Sequence, residues 1–132
     1  MSKDNIPEKI SVKNFKDLIV YQKAMLLSDK SYKIIKGFPD FEKFELASQI
    51  RRSSNSIGAN IAEGNGQTYL AKQYSFLNNA IGSANEVRSH FENAYRKEYI
   101  SKEKYDELEK DAEVIIKLLI GIMKKVKREM SL

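Results

Sequence analysis

Residues 105–126 read YDELEKDAEVIIKLLIGIMKKV, and they decide the fold. Tyr105, Leu108, Ala112, Ile115, Leu119, Ile122 and Val126 recur at alternating steps of three and four. That spacing lines side chains along one face of an α-helix. Ser101 stands just ahead with a side-chain oxygen suited to an N-cap.

The same period extends upstream. A preceding helix is predicted from about Thr68 to Glu98, with the stripe Leu70, Tyr74, Leu77, Ala80, Ala84, Val87, Phe91 and Ala94. Before it, a helix beginning around Asp40 carries Leu46, Ile50, Ser53, Ile57 and Ile61. Glu42 falls in its first turn, where negative charge suits the helix dipole. The run Glu63-Gly64-Asn65-Gly66 ends it, being rich in turn formers.

The first helix is expected to start near Asn14 as N-cap, with Asp17 three residues on. Its stripe is Leu18, Tyr21, Met25, Ser28, Tyr32 and Ile35. Gly37-Phe38-Pro39 closes it, because glycine suits a C-terminal cap and proline cannot continue the ladder. Four helices with short connections predict an all-α, antiparallel up-down-up-down bundle. Period-2 alternation flanked by hairpin turns is absent. Residues 1–13 are expected to be a flexible segment and residues 14–130 a single bundle domain.

The 132 residues suffice to bury a core without covalent staples. No cysteine occurs, which excludes disulfides, thiolate metal sites and cysteine nucleophiles. No apolar stretch is long enough to cross a bilayer, and MSKDNIPEKISVKNF has no signal-like core. A cytoplasmic protein without a membrane role is the expectation. The formal net charge of +5 favours a polyanionic partner, yet the charge is spread along the chain. Residues 1–64 hold 11 basic and 8 acidic side chains, residues 65–100 hold 4 and 3, and residues 101–132 hold 8 and 7.

Two helices carry polar stripes. Gln49, Arg52, Ser56, Asn60 and Glu63 share one face of the second helix; Asn79, Ser83, Glu86 and His90 share one of the third. Where such stripes meet they make either a binding groove or a hydrogen-bonded seam that fixes register. Arg51 or Arg52 with Glu86 is the expected ion pair. The seam needs no substrate to explain it, and Gln49, Ser56, Asn60, Glu63, Ser83 and Glu86 are assigned to it.

A di-metal carboxylate site needs Glu-x-x-His pairs on two helices. His90 is the only histidine and Glu86 lies four residues before it, so the spacing fails. Ser53, Ser54 and Ser56 have no nucleophile elbow, and Gly58, Gly64 and Gly66 lack the context of a phosphate loop. Gly58 and Gly82-Ser83-Ala84 are read as places of close helix packing. No cofactor, metal or catalytic residue is expected. Arg51, Arg52, Lys124, Lys125, Lys127 and Arg128 are the candidate phosphate contacts. The last four also complement the dipole at a helix C-terminus.

The stretch Phe38-Pro39, Glu42, Phe44, Leu46 and QIRRSSNSIGANIAEG over residues 49–64 is distinctive. So are Phe76-Leu77, Ala80, Gly82-Ser83 and Glu86. Together they resemble the four-helix bundle proteins encoded in intervening sequences of bacterial 23S ribosomal RNA genes, over about residues 15–127. The resemblance implies a homopentamer, and kinship with accessory proteins of diversity-generating retroelements, which bind nucleic acid. Five copies would gather about +25 of formal charge on one particle. The reading is a non-catalytic oligomer that binds RNA or DNA through basic surfaces. The alternative is a protein-interaction scaffold.

Overall fold

The computed structural model describes residues 14–131. The segment 1–13, expected to be flexible, lies outside the described residues, as does Leu132. Four α-helices follow in order: α1 (Ile19–Ile35), α2 (Leu46–Asn65), α3 (Leu70–Arg96) and α4 (Lys102–Met130). Among the described residues there is no strand. α2 packs on α3, α3 on α4, α1 on α2 and, least extensively, α1 on α4. Each helix therefore touches its chain neighbours, and α1 closes the ring onto α4. Contacts run antiparallel: Ser56 meets Ser83 and Gly64 meets Phe76 across α2 and α3. Arg88 meets Glu109 and Tyr95 meets Tyr105 across α3 and α4.

The α2 stripe is buried throughout, as expected: Leu46, Ile50, Ser53, Ile57 and Ile61 all face the core. On α3, Leu70, Leu77, Ala80, Ala84, Val87, Phe91 and Ala94 are buried and Tyr74 is half-buried. On α4, Leu108, Ala112, Ile115, Leu119 and Val126 are buried, while Met123 takes the depth expected of Ile122. Ser101 caps α4, its Oγ accepting from Lys104 N at 3.0 Å.

Three boundaries and one face differ from expectation. Asn14 does cap, accepting from Lys16 N at 2.9 Å, but what it opens is a single 3-10 turn, Phe15–Asp17. Leu18 is extended, and α1 begins only after it. Asp40–Glu42 is likewise a separate 3-10 turn, and Glu45 (φ −117°, ψ −105°) breaks the chain before α2. α3 starts two residues later than Thr68 and stops at Arg96.

The core face of α1 is Val20, Ala24, Leu27, Ser28 and Ser31, which shares Ser28 with the expected stripe, while Leu18, Tyr21 and Ile35 of that stripe pack at the edge of the core. Met25 and Tyr32 are exposed instead. Ser31 Oγ satisfies itself on Leu27 O at 2.9 Å, so its burial needs no distant partner.

Candidate nucleic-acid interface

The two candidate basic groups lie at opposite ends of the bundle. Arg51 and Arg52 sit in the second turn of α2, at the end where α4 begins. Lys124, Lys125, Lys127 and Arg128 sit in the last turns of α4. At 1.5 Å per residue, roughly 20 Å of helix separates their levels. One chain therefore presents two basic regions, not one.

The regions also differ in what holds them. Arg51 is half-buried and donates from Nη2 to Lys43 O at 3.1 Å, which ties α2 to the corner preceding it. Arg52 is exposed. The expected ion pair of either arginine with Glu86 is not formed. Glu86 is exposed and approaches His90 instead, Oε2 to Nε2 at 3.4 Å. By contrast, Lys124, Lys125, Lys127 and Arg128 are all exposed, and none is engaged in an ion pair among the described residues. Lys124, Lys127, Arg128 and Ser131 line a surface cleft of about 330 Å³.

Lys30, Arg88, Lys102 and Lys104 are paired with acids, whereas Lys23, Lys33, Lys72 and Lys117 are, like the α4 cations, exposed and outside any ion pair among the described residues. Arg88 Nε donates to both carboxylate oxygens of Glu109 at 3.1 Å and Nη1 donates to Asn85 Oδ1 at 3.0 Å. The Glu109 bond raises the guanidinium further above its already high pKa. Lys30 Nζ lies 2.7 Å from both Glu107 Oε2 and Asp111 Oδ2, bridging α1 and α4. Its hydrogen bonds to Asp111 and then to Glu107 raise its pKa. The bonds that Lys30 and then Lys104 donate hold Glu107 below the usual carboxylate range.

The two polar stripes are hydrogen-bonded to each other at Ser56 and Ser83, and Gln49 and His90 line one common cleft. Ser56 and Ser83 share a 2.8 Å hydroxyl bond, and Asn60 Nδ2 donates to Ser56 O at 2.9 Å and to Ser56 Oγ at 3.0 Å. Gln49, Glu63 and Glu86 are left at the surface. A Cβ on Gly58 would lie 3.5 Å from Tyr21 and Met25, in ordinary contact, but a Cβ on Gly82 would meet nothing within 4 Å. Gly58 is thus in contact with α1 but has room for a Cβ, and Gly82 faces open space in this single chain. Among the described residues no group of three or more His, Cys, Asp or Glu is placed to hold a metal ion. No described helix is long and apolar enough to cross a membrane.

Two features escaped the sequence reading. Glu42 is only 4% exposed and is bonded by Tyr99, a partner far along the chain that no spacing reveals. Phe41 and Phe44, three residues apart on the corner before α2, are 69% and 82% exposed. Their spacing was visible, but whether they face in or out depends on where the corner turns.

Comparison with known proteins agrees with this architecture. A family model described as 23S rRNA-intervening sequence protein matches residues 16–121. No curated protein matches the chain. A crystal structure from Bacteroides thetaiotaomicron VPI-5482, a protein with unknown function from the S23 ribosomal protein family, is 36% identical. It superposes with a TM-score of 0.74, covering 80% of this chain and 99% of that one. With its four helices in place and most of its length matched, the chain belongs to the 23S rRNA-intervening sequence protein family.

Proposed function

We propose that this protein works by binding, as an oligomer that holds RNA by its phosphates. The carrying observation is the α4 terminus, where Lys124, Lys127 and Arg128 stand exposed around one cleft, with Lys125 exposed on another side of the helix, and none of the four has an ion-pair partner among the described residues. Phosphate neutralisation by such cations releases counterions, and affinity then falls steeply with salt. Base readout is not part of the proposal, since the cleft carries no aromatic or amide side chain. The assembly is taken to be the homopentamer that the family resemblance implies, which would repeat each α4 end five times. Arg52 is a second, weaker candidate, while Arg51 serves the α2 corner.

Titration of a labelled structured RNA at about 50 and 200 mM salt tests this reading. Affinity should fall ten-fold or more between the two. Replacing Lys124, Lys125, Lys127 and Arg128 by alanine should weaken binding at low salt and flatten its salt slope. Absence of binding at about 50 mM salt would sink the proposal. A protein-interaction scaffold is the second reading, favoured by the exposed rings of Phe41 and Phe44. A partner retained after nuclease treatment would support it.

A further inference from the structure

A second cleft, of about 520 Å³, lies toward the end of the bundle away from the α4 cations, between the start of α2 and the last third of α3. Phe44 and Gln49 line it from the α2 side, and Ser89, His90 and Asn93 from α3. The Phe44 ring is 82% exposed and gives the cleft a flat apolar wall. An exposed ring of this kind is a stacking face for another flat ring.

The facing groups are polar and largely unspent. The side chains of Gln49 and Ser89 make no hydrogen bond among the described residues. Asn93 Oδ1 accepts from Lys97 Nζ at 2.7 Å, which leaves its amide N–H groups free to donate. His90 has one ring nitrogen near an acid, Glu86, at 3.4 Å, and the other is open. The amide of Gln49 and the hydroxyl of Ser89 can each donate and accept. Charge at the rim is balanced. Glu42 is engaged by Tyr99 and Leu46, which leaves the exposed Glu45 against the exposed Lys97.

These groups fit one kind of ligand. A free phosphate would gain one cation and meet a carboxylate. Among the described residues no three His, Cys, Asp or Glu converge to hold a metal ion. An aliphatic ligand would cover the amides and the hydroxyl without pairing them, which is costly. A neutral heteroaromatic ring with donors and acceptors along its edge uses both the ring wall and the polar wall. Arg52 extends the match. It is exposed three residues after Gln49, hence its neighbour on the surface of α2, where a phosphate joined to such a ring would lie.

We propose that this cleft takes one unpaired base of a single-stranded RNA, stacked on Phe44 and hydrogen-bonded at its edge by Gln49, Ser89 and Asn93, with Arg52 on the adjoining phosphate. A base held in a duplex has neither its face nor its pairing edge to offer. The site rests on the RNA reading above and narrows it to strands with unpaired bases, while the α4 cations hold phosphates alone.

Anisotropy titrations at about 50 mM salt test the site with a short labelled single-stranded RNA, an abasic strand of equal length and a duplex of equal length. Phe44→Ala should weaken binding of the single strand about five-fold or more and leave the abasic strand and the duplex unchanged. The salt slope should stay as in the wild type, since no phosphate contact is lost. Gln49→Ala should act in the same direction. Phe41→Ala removes an exposed ring that does not line the cleft, and should change nothing. The sequence holds no tryptophan, so Phe44→Trp places a single reporter at the cleft. Its fluorescence should be quenched by the single strand and not by the abasic one. If no probe binds, the RNA reading falls and this site with it. If the probes bind with a steep salt dependence but Phe44→Ala changes nothing, or weakens every probe alike, this site alone is overturned. If circular dichroism shows that Phe44→Ala has lost its helices, the Phe44→Trp variant decides, and an unquenched reporter on a bound single strand counts against the cleft.

Discussion

The Tyr99 hydroxyl donates to Oε2 of Glu42 at 2.9 Å, across 57 residues of chain. The other oxygen of Glu42 accepts from Leu46 N at 3.3 Å, the first residue of α2. Phe38 packs against the Tyr99 ring with centroids 5.0 Å apart. One buried carboxylate thus ties the corner before α2 to the turn after α3, and serves an otherwise orphan N–H at the start of α2. It also explains why α2 does not begin at Asp40: the turn at Asp40–Glu42 bends to bring Glu42 inward.

Removing that carboxylate should be expensive. Glu42→Ala leaves the Leu46 amide and the Tyr99 hydroxyl short of an acceptor, and should cost about 2 kcal/mol. Tyr99→Phe removes one donor only and should shift stability the same way by less. Urea unfolding with unchanged slope and a lowered midpoint is the expected result for both.

Glu98 should be a site of easy stabilisation. It is the only non-glycine residue with positive φ among those described, at 63°. Tyr99 N bonds back to Ala94 O and Glu98 N to Tyr95 O, each at 2.9 Å, which is the paired bonding of a Schellman helix end. Glycine is the residue suited to that left-handed position. Glu98→Gly should raise stability by about 1 kcal/mol, read as a higher unfolding midpoint.

Two glycines should respond oppositely to alanine. A Cβ on Gly64 would lie 3.1 Å from Phe76 Cβ and 3.4 Å from Gln73 O, so α2 and α3 would have to part. Gly64→Ala should destabilise by about 1 kcal/mol despite better helix propensity. Gly82→Ala meets open space, and should stabilise the single chain by about 0.5–1 kcal/mol. Thermal unfolding of both variants separates the two cases.

Acid should loosen the contact of α1 with α4. The folded-state pKa of Glu107 is depressed, so its contribution is present above the ordinary value of 4.5 and is lost as pH falls through the lower folded value. Lys30 is raised, so its contribution is present below 10.5 and fades only as pH rises past that. The melting temperature should therefore decline on going from about pH 6 to about pH 3, and Lys30→Met should shrink that decline. An equal decline in the variant would show that other carboxylates control it.

What was legible in the sequence follows from how much apolar area each face carries. On α2, α3 and α4 the inward positions hold large aliphatic or aromatic residues such as Ile50, Ile57, Phe91, Ile115 and Leu119, so period alone finds the core. On α1 the inward positions are Val20, Ala24, Leu27 and Ser31, while Met25 and Tyr32 on the next face are larger. Period placed Ser28 in the core and Leu18, Tyr21 and Ile35 against it, but the larger Met25 and Tyr32 drew the stripe away from Val20, Ala24, Leu27 and Ser31, whose small or aliphatic side chains take the deeper positions.

The sequence by itself determined four helices, their order, the Ser101 cap and the family, because these depend on local spacing and on a near-continuous motif. Tertiary structure decided the partners. It placed Arg51 and Arg52 at a level of the bundle roughly 20 Å along the helix axis from the α4 cations, gave Glu86 to His90 and not to an arginine, and joined Ser56 to Ser83. It also buried Glu42 against Tyr99 and left Phe41 and Phe44 in solvent. Each of these depends on how one helix end sits beside another, and no spacing within a single helix carries that distance.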